Sequence, residues 1–179
     1  MLAALVSPGQ VPFAQLQGSK IHMHAAEGYA ADGFLFAPPG RGPFAAVLLI
    51  HDSYGLNEYV RTVAERLAAT GKLVVAVDLY RGRNASTADQ AQQLAHDLSD
   101  ADAMHDLGAA MAFLRSLPTV RPAAIGVAGW GDGSRYALQL VNNKECIRAV
   151  AISTVASEEA SLTLPANCTT AFMGSFAGK

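Results

Sequence analysis

The chain has 179 residues, of which 51% are hydrophobic and 7% aromatic, and its formal net charge is -2 at pH 7. Domains of roughly 100–200 residues are typical, so we expect a single domain over 20–179, preceded by an N-terminal extension over 1–19. The near-neutral charge, without a run of Lys or Arg, excludes a basic surface for nucleic acid, and few aromatics argue against base stacking. No stretch reaches the roughly 18–20 apolar residues of a membrane-spanning helix, so we expect no membrane partner.

Hydrophobic patterning along the chain predicts an α/β fold. Residues 20–25 alternate as a half-exposed strand does, and 32–37 follow as its hairpin partner, giving an antiparallel edge. Further strands are expected over 46–50, 73–77, 123–128, 147–152 and 169–173, the first three as apolar runs buried on both faces. Helices are expected over 57–70, 88–99, 101–116 and 134–142, the first between an Asn57 cap and a Gly71 stop. This alternation predicts a mostly parallel sheet with helices on both faces.

The two cysteines, Cys146 and Cys168, stand far apart and match no metal-ligand spacing. We expect both to be buried free thiols, because free cysteine commonly packs as a small apolar side chain. The apolar residues 1–6 are too few, and lack the positive flank, for a complete signal peptide. These features favour a cytoplasmic protein.

Three loops leave the carboxyl ends of the parallel strands, over 51–57, 78–84 and 129–134. Right-handed crossovers bring such loops to one edge of the sheet, where ligands bind in open α/β folds. We therefore expect any functional site to lie where these three loops meet. His22 and His24 share one face of the first strand without a third ligand, so no metal site is expected there.

The third loop lies in the segment Ile125-Gly-Val-Ala-Gly-Trp-Gly-Asp-Gly-Ser134, a buried strand that enters a glycine-rich turn before a helix. This is the layout of a nucleophile elbow, with Gly131 at the position of the nucleophile. Glycine has no side chain that can attack a substrate. Asp132 is one residue late, and Ser134 lies in the first helical turn, so neither is expected to replace it. The glycine spacing also does not fit a phosphate-binding loop.

The first loop contains His51, Asp52 and Ser53 after the first parallel strand. In α/β hydrolases this loop lends one backbone N–H group to the oxyanion hole, and Ser53 is our candidate donor. The backbone N–H group of Asp132 is the candidate second donor. Asp52 is a candidate for holding or repositioning a catalytic group. The alternative is that His51 and Asp52 only bond the loop backbone.

The second loop contains Asp78, Arg81 and Arg83. Either arginine is a candidate for gripping a substrate carboxylate with two hydrogen bonds, Arg81 being the closer to the strand end. The alternative is an arginine exposed to solvent, while Asp78 is expected to anchor the turn. Tyr54 and Trp130, in the other two loops, complete the substrate-binding candidates.

Three segments, in order and at compatible spacing, resemble the dienelactone hydrolase family of α/β hydrolases from about residue 20 to the C-terminus. They are Ile50-His-Asp-Ser-Tyr-Gly-Leu-Asn57, Val77-Asp-Leu-Tyr-Arg81 and Ile125-Gly-Val-Ala-Gly-Trp-Gly-Asp-Gly133. The resemblance implies an α/β-hydrolase fold and the hydrolysis of small cyclic esters by a Cys-His-Asp triad, without a cofactor. It places Asp52 where the family usually has a glutamate beside the resting nucleophile, and gives Arg81, or else Arg83, the substrate carboxylate.

The chain departs from the family pattern at the triad. The family has cysteine where this chain has Gly131, and Ala177 stands at about the position of the family's aspartate. The family's histidine lies on a later loop, after the point where this chain ends. The last strand and final helix of the family are also expected to be absent, leaving the fold C-terminally shortened.

These departures favour a catalytically silent or impaired relative that binds a small ligand containing a carboxylate or an ester. We also expect a homodimer, or a partner protein, to cover the apolar sheet surface that a shortened fold exposes. The alternative is a hydrolase of small esters or lactones whose activity is residual or is completed by sequence absent here. A third alternative is a structural subunit of a complex.

Overall fold

The computed structural model describes residues 18–24, 30–142, 146–155 and 170–177. These residues form a seven-stranded sheet in the order β1-β2-β4-β3-β5-β6-β7. The strands are β1 (Ser19–His24), β2 (Ala30–Phe36), β3 (Phe44–Ile50), β4 (Leu73–Asp78), β5 (Val120–Trp130), β6 (Ala149–Val155) and β7 (Ala171–Ala177). The β1–β2 and β2–β4 pairs are antiparallel, and the other four pairs are parallel. The predicted α/β fold with an antiparallel N-terminal hairpin is confirmed.

The described part of the chain contains four helices between the strands: α1 (Glu58–Ala69), α2 (Ala88–Asp97), α3 (Asp100–Ser116) and α4 (Asp132–Asn142). The Asn57 side chain accepts a hydrogen bond from the Val60 N–H group, as an N-cap does, and Gly71 follows α1 with a φ of +86°. Thr87 and Ser99 cap α2 and α3 in the same way. Among the described helices, none is both long and apolar enough to cross a membrane.

The alternation of side chains along the strands creates two separate cores. On β3, Leu48 and Ile50 face the core formed with α3 and α4, whereas Leu49 faces the core formed with α1. All six residues of β4 are buried, because this strand has neighbours on both edges and helices on both faces. The continuous apolar run in the sequence therefore corresponds to the strand that is buried on both faces.

Every predicted helix and strand is present, and the differences lie at the ends. The largest concerns β5, which runs from Val120 to Trp130 where 123–128 were expected. Its first residues are mostly exposed, so their pattern is not that of a buried strand. The last two strands begin about two residues later than expected and run to Val155 and Ala177.

The prediction of a buried free thiol is wrong for Cys146. This residue is exposed at the approach to β6 and is disulfide-bonded. Cys168 lies outside the described residues. Disulfides persist mainly in oxidising compartments, so the thiol argument for a cytoplasmic location no longer holds.

One face of β5, β6 and β7, beside α1, forms an apolar groove of about 230 Å³. Small residues form much of its floor, among them Gly126, Ala128 and Ala151. On β7, Phe172 is 45% exposed and Met173 is 70% exposed. We still predict that a second copy of the chain, or another protein, covers this face. The native mass of the protein tests this prediction.

The helix α4 approaches the sheet so closely that residue 133 must be glycine. A Cβ atom on Gly133 would lie 2.5 Å from the Ile50 carbonyl oxygen and 2.6 Å from that of His51. We predict that Gly133→Ala lowers the free energy of unfolding by about 2–3 kcal/mol, because a backbone clash cannot be relieved by a side-chain rotation. Urea denaturation measures this change.

Gly108→Ala is the matched control. Gly108 lies in α3, and a Cβ atom there would have no neighbour within 4 Å. This substitution should raise stability by up to about 1 kcal/mol, because alanine is the better helix former. Equal effects of the two substitutions would contradict the proposed close packing.

Candidate active site

The turn between β5 and α4 has the strand–turn–helix geometry of a nucleophile elbow. Its apex is Gly131, which has a φ of +53° and is exposed to solvent. Residues with a side chain rarely adopt such a φ, and its cost is of order 1–3 kcal/mol. Gly129 is equally constrained, since a Cβ atom there would clash with the Gly133 backbone. The position predicted for a nucleophile is thus an exposed apex occupied by a residue without a side chain.

Ser134 stabilises the turn and is not placed to attack a substrate. Its hydroxyl lies 3.0 Å from the carbonyl oxygen of Gly129 and 3.1 Å from that of Ser153, and the residue is 2% exposed. The Gly131 N–H group also donates to the Ser153 carbonyl, at 2.9 Å. The elbow is therefore attached to β6 through both residues. This agrees with the expectation that Ser134 faces away from the apex.

His51 joins two of the three predicted loops. Its Nε2 atom accepts a hydrogen bond from the Leu79 N–H group at 3.1 Å, so Nε2 carries no proton. The proton therefore resides on Nδ1, which donates to the Asp52 carbonyl oxygen at 2.7 Å. Burial lowers the pKa of His51, because the charged imidazole would lose its hydration. His51 is a neutral structural residue, as the alternative interpretation of this loop proposed.

Asp52 lies directly beside the apex. A Cβ atom built on Gly131 would be 3.1 Å from the Cβ atom of Asp52. The Asp52 carboxylate accepts a hydrogen bond from the Tyr54 N–H group at 2.9 Å, which holds the loop turn. Within the described residues, no acceptor is found for the N–H groups of Ser53 and Asp132, the two candidate oxyanion donors.

The loop after β4 is held by Asp78, as expected. Its two carboxylate oxygens accept hydrogen bonds from the N–H groups of Tyr80 and Gly82, at 3.1 and 2.7 Å. The loop directs Arg81 toward α3, where its guanidinium lies 2.9 and 3.1 Å from the two oxygens of Asp106. Arg81 also approaches the Ala30 carbonyl on β2, on the opposite side of β4 from the elbow.

Asp106 was not predicted from the sequence. The residue is 2% exposed, and burial raises its pKa despite the adjacent Arg81 guanidinium. A signal was available, because Asp106 adjoins the buried stripe of α3 formed by Ala103, Leu107 and Ala110. A carboxylate on an apolar helix face requires a cation, and the nearest loop supplies Arg81.

Arg83 is less tightly held than Arg81. Its Nε donates to the Tyr80 carbonyl at 3.3 Å, and its Nη1 lies 3.5 Å from an Asp97 oxygen. The side chain of Arg83 is 55% exposed, and the Asp97 partner is itself partly in water. Exposed pairs of this kind contribute little, so the Arg83 guanidinium is available to a ligand.

Tyr80 is a second residue near the candidate site that was not predicted from the sequence. Its ring is 3% exposed and lies 4.7 Å from the His51 ring, centroid to centroid. Burial and the nearby Asp132 and Asp52 carboxylates raise the pKa of Tyr80 to about 12. The hydroxyl is therefore a proton donor at neutral pH and not a base.

The two aromatic candidates, Tyr54 and Trp130, differ in exposure. Tyr54 is 37% exposed at the carboxyl edge of the sheet. Trp130 is half-buried, with its ring edge-to-face with Tyr59 at a centroid distance of 6.2 Å. Its buried indole N–H group has no acceptor in the described part of the chain. His22 is bonded to Asp32 at 2.6 Å, and the described residues contain no group of three or more potential metal ligands.

The fold and the elbow are those of an α/β hydrolase. The match to the dienelactone hydrolase family model covers residues 31–179. The chain therefore belongs to the dienelactone hydrolase family.

Curated relatives agree with this assignment, and a solved structure agrees with the fold. A putative carboxymethylenebutenolidase from Methylorubrum extorquens is 30% identical over 117 residues, which cover 63% of this chain and 40% of the relative. One from Synechocystis sp. is 28% identical over 109 residues, covering 56% of this chain and 44% of the relative. A putative dienelactone hydrolase from Klebsiella pneumoniae superimposes with a TM-score of 0.72 at 18% identity, covering 89% of this chain and 71% of the other.

The buried neutral His51 makes stability depend on pH. The unfolded chain takes up a proton at this residue as the pH falls below its ordinary pKa of 6.5, whereas the folded chain does so only at lower pH. The stability contributed by neutral His51 is therefore complete above pH 6.5 and is lost as the pH falls. We predict that His51→Gln reduces the loss of unfolding free energy between pH 7.5 and 5.5 by about 1 kcal/mol.

Urea denaturation at the two pH values measures this difference. His96→Gln, at an exposed position on α2, is the control and should leave the loss as it is in the unmodified protein. The same loss in the His51 variant as in the unmodified protein would show that folding does not lower the pKa of His51.

Proposed function

We propose that the protein binds small esters or lactones at the carboxyl edge of the sheet and hydrolyses them slowly. The observation that carries this proposal is a pair of N–H groups beside the exposed Gly131 apex, one on Ser53 in the loop after β3 and one on Asp132, which follows Gly131 directly. Donors of this kind stabilise the negative charge that a carbonyl oxygen gains in the transition state. The names of the relatives, both putative carboxymethylenebutenolidases, support a lactone as the substrate class.

The expected rate is low because Gly131 cannot form a covalent intermediate. Hydrolases that lose their triad retain roughly 10³–10⁴-fold catalysis over water from the oxyanion hole and substrate binding. Residual hydrolysis of this order is therefore consistent with a glycine at the apex. The chain aligns with less than half the length of its curated relatives, so their full activity is not transferred to it.

A second candidate function is ligand binding without turnover. The observation that favours it is again Gly131, because an apex without a side chain retains the pocket and loses the attacking group. Both candidates use the same pocket and differ only in turnover. A hydrolysis assay therefore separates them.

Arg83 is our candidate for binding a substrate carboxylate, in preference to Arg81. The guanidinium of Arg81 is already paired with the buried Asp106, and a ligand would have to compete with that carboxylate. A ligand that binds Arg83 would displace only an exposed contact of 3.5 Å with Asp97. Tyr54, beside the same loop, and Trp130, beside the apex, are proposed to contact the rest of the ligand.

The N–H group of Asp132 can be removed by substitution. Asp132 is the first residue of α4, where proline is tolerated and removes the N–H group. We expect Asp132→Pro to lower the hydrolysis of p-nitrophenyl acetate and of a simple lactone at least tenfold, since one oxyanion donor is worth about 10²–10³ in rate. Asp132→Ala keeps the N–H group and should retain activity.

Both variants should show the unmodified circular dichroism spectrum. Turnover by the unmodified protein no faster than a buffer blank would exclude hydrolysis and leave ligand binding. Equal rates for the two variants would show that the Asp132 N–H group is not a donor.

Substitutions at the two arginines separate their roles. Arg83→Gln should raise KM for a carboxylate-bearing lactone about tenfold, the loss of one charge-assisted hydrogen bond, and leave KM for a neutral lactone unchanged. Arg81→Gln should instead lower the free energy of unfolding by about 1–2 kcal/mol, because it leaves the Asp106 carboxylate buried without its cation. A carboxylate-specific rise in KM for Arg81→Gln alone would reverse the assignment.

A further inference from the structure

The side chain of Asp52 borders the space that a side chain at the apex would enter. A Cβ atom on Gly131 would lie 3.1 Å from the Cβ atom of Asp52, so the Asp52 carboxylate is within a few bond lengths of the apex. Because Gly131 has no Cβ atom, that space is open to solvent at an exposed position. A water molecule there would lie beside a carboxylate, where the nucleophile of an elbow would otherwise project.

Asp52 is held in one orientation by its loop. Its carbonyl oxygen accepts hydrogen bonds from His51 Nδ1 at 2.7 Å and from the Gly55 N–H group at 3.1 Å. Its carboxylate Oδ1 accepts from the Tyr54 N–H group at 2.9 Å. The second carboxylate oxygen has no hydrogen-bond partner among the residues that the structure describes. One oxygen therefore fixes the side chain while the other remains free to accept a proton.

Most other polar groups around the apex already make hydrogen bonds within the protein. Both nitrogens of His51 are used in hydrogen bonds, and the hydroxyl of Ser134 is buried against carbonyl oxygens. Both oxygens of Asp78 hold the next loop. The remaining rival is the side chain of Asp132, which has no hydrogen bond to another described residue and follows the apex directly.

We propose that Asp52 is the general base of a direct hydrolysis in which water, and no protein side chain, attacks the ester. This proposal rests on the hydrolysis proposed above. Asp52 takes a proton from water as the water oxygen bonds to the carbonyl carbon. The carbonyl oxygen becomes an oxyanion facing the N–H groups of Ser53 and Asp132. As the oxyanion returns to a carbonyl, the bond to the leaving oxygen breaks and that oxygen takes the proton from Asp52.

The products are a carboxylic acid and an alcohol, or a single hydroxy acid from a lactone, and Asp52 is again ionised. No acyl-enzyme forms at any stage. Gly131 then has a defined role, since its missing side chain provides the space for the attacking water. The reaction differs in this respect from one that uses a nucleophile at the apex.

Asp52→Asn tests the base most directly. Asparagine keeps the oxygen that accepts from the Tyr54 N–H group and so preserves the loop turn, but it has no basic carboxylate. General base catalysis contributes about 10²–10⁴ in rate, so we expect kcat for p-nitrophenyl acetate and for the lactone to fall at least tenfold, with little change in KM. Unchanged kcat, or a fall seen only in Asp132→Asn, would overturn the assignment of Asp52.

Gly131→Ala tests the space, because its methyl group would enter it and press on Asp52. The strain of a side chain at positive φ is matched by Gly71→Ala, at a φ of +86° with no atom within 4 Å and at the far end of α1. We expect Gly131→Ala to lose at least tenfold in kcat and Gly71→Ala to retain the unmodified rate. If both variants lost the same stability and neither lost kcat, the proposed position of the attacking water would be contradicted.

Isotope labelling separates a base from a nucleophile. After repeated turnovers in H₂¹⁸O, the label should appear in the product acid, and the mass of the peptide containing Asp52 should be unchanged. Label in that peptide would show that its carboxylate attacks the ester, and an initial burst of p-nitrophenol would show a covalent intermediate; either result overturns the proposal. Absence of turnover in the unmodified protein would overturn the hydrolysis itself, whereas turnover that is insensitive to Asp52→Asn would overturn only the base.

Discussion

The contact between α4 and the sheet is the constraint on which the site depends. Gly129 and Gly133 bring backbone against backbone, and neither position has room for a Cβ atom. With α4 held so closely, the chain must reverse within one residue, and Gly131 does so at a φ of +53°. The N–H group of Asp132 then emerges at the carboxyl edge of the sheet, at the start of α4, where helices leave their N–H groups free. The placement of an oxyanion donor is therefore a consequence of packing.

A second interaction positions the loop after β3, which carries the other half of the candidate site, next to the elbow. His51 connects the loops after β3 and β4, because its Nδ1 donates to the Asp52 carbonyl and its Nε2 accepts from the Leu79 N–H group. This requires the neutral imidazole in a single tautomer, and burial favours that form. Asp52 and Ser53, which follow His51 directly, are thereby fixed beside the elbow. A histidine near an elbow suggests a catalytic base, but here the protonation state that holds the loops leaves neither nitrogen free.

The sequence predicts the framework of this fold well because the framework depends on local patterns. Buried apolar runs indicate β3 and β4, Asn57 and Gly71 bound α1, and the spacing of Gly129, Gly131 and Gly133 indicates the elbow. Interactions between residues that are far apart in the sequence are harder to predict from local patterns. The pairing of Arg81 with Asp106 joins residues 25 positions apart. The apolar stripe of α3 indicates that Asp106 is buried, but it does not show which cation meets it. The disulfide state of Cys146 was missed for the same reason, since spacing alone does not show which residues meet.

The apex itself combines two requirements that a single residue type satisfies. Positive φ favours glycine on conformational grounds, and the proximity of Asp52 favours glycine on steric grounds. The steric requirement is the milder one, because a separation of 3.1 Å between carbon atoms is relieved by a shift of a few tenths of an ångström. A side chain at the apex would therefore be tolerated only if the Asp52 loop moved outward. Since His51 attaches that loop to β4, the movement would strain the same hydrogen bonds that position the Ser53 donor. The loop in this chain is thus adapted to a glycine at the apex, and introducing a cysteine at position 131 alone would place a nucleophile against a loop shaped for its absence.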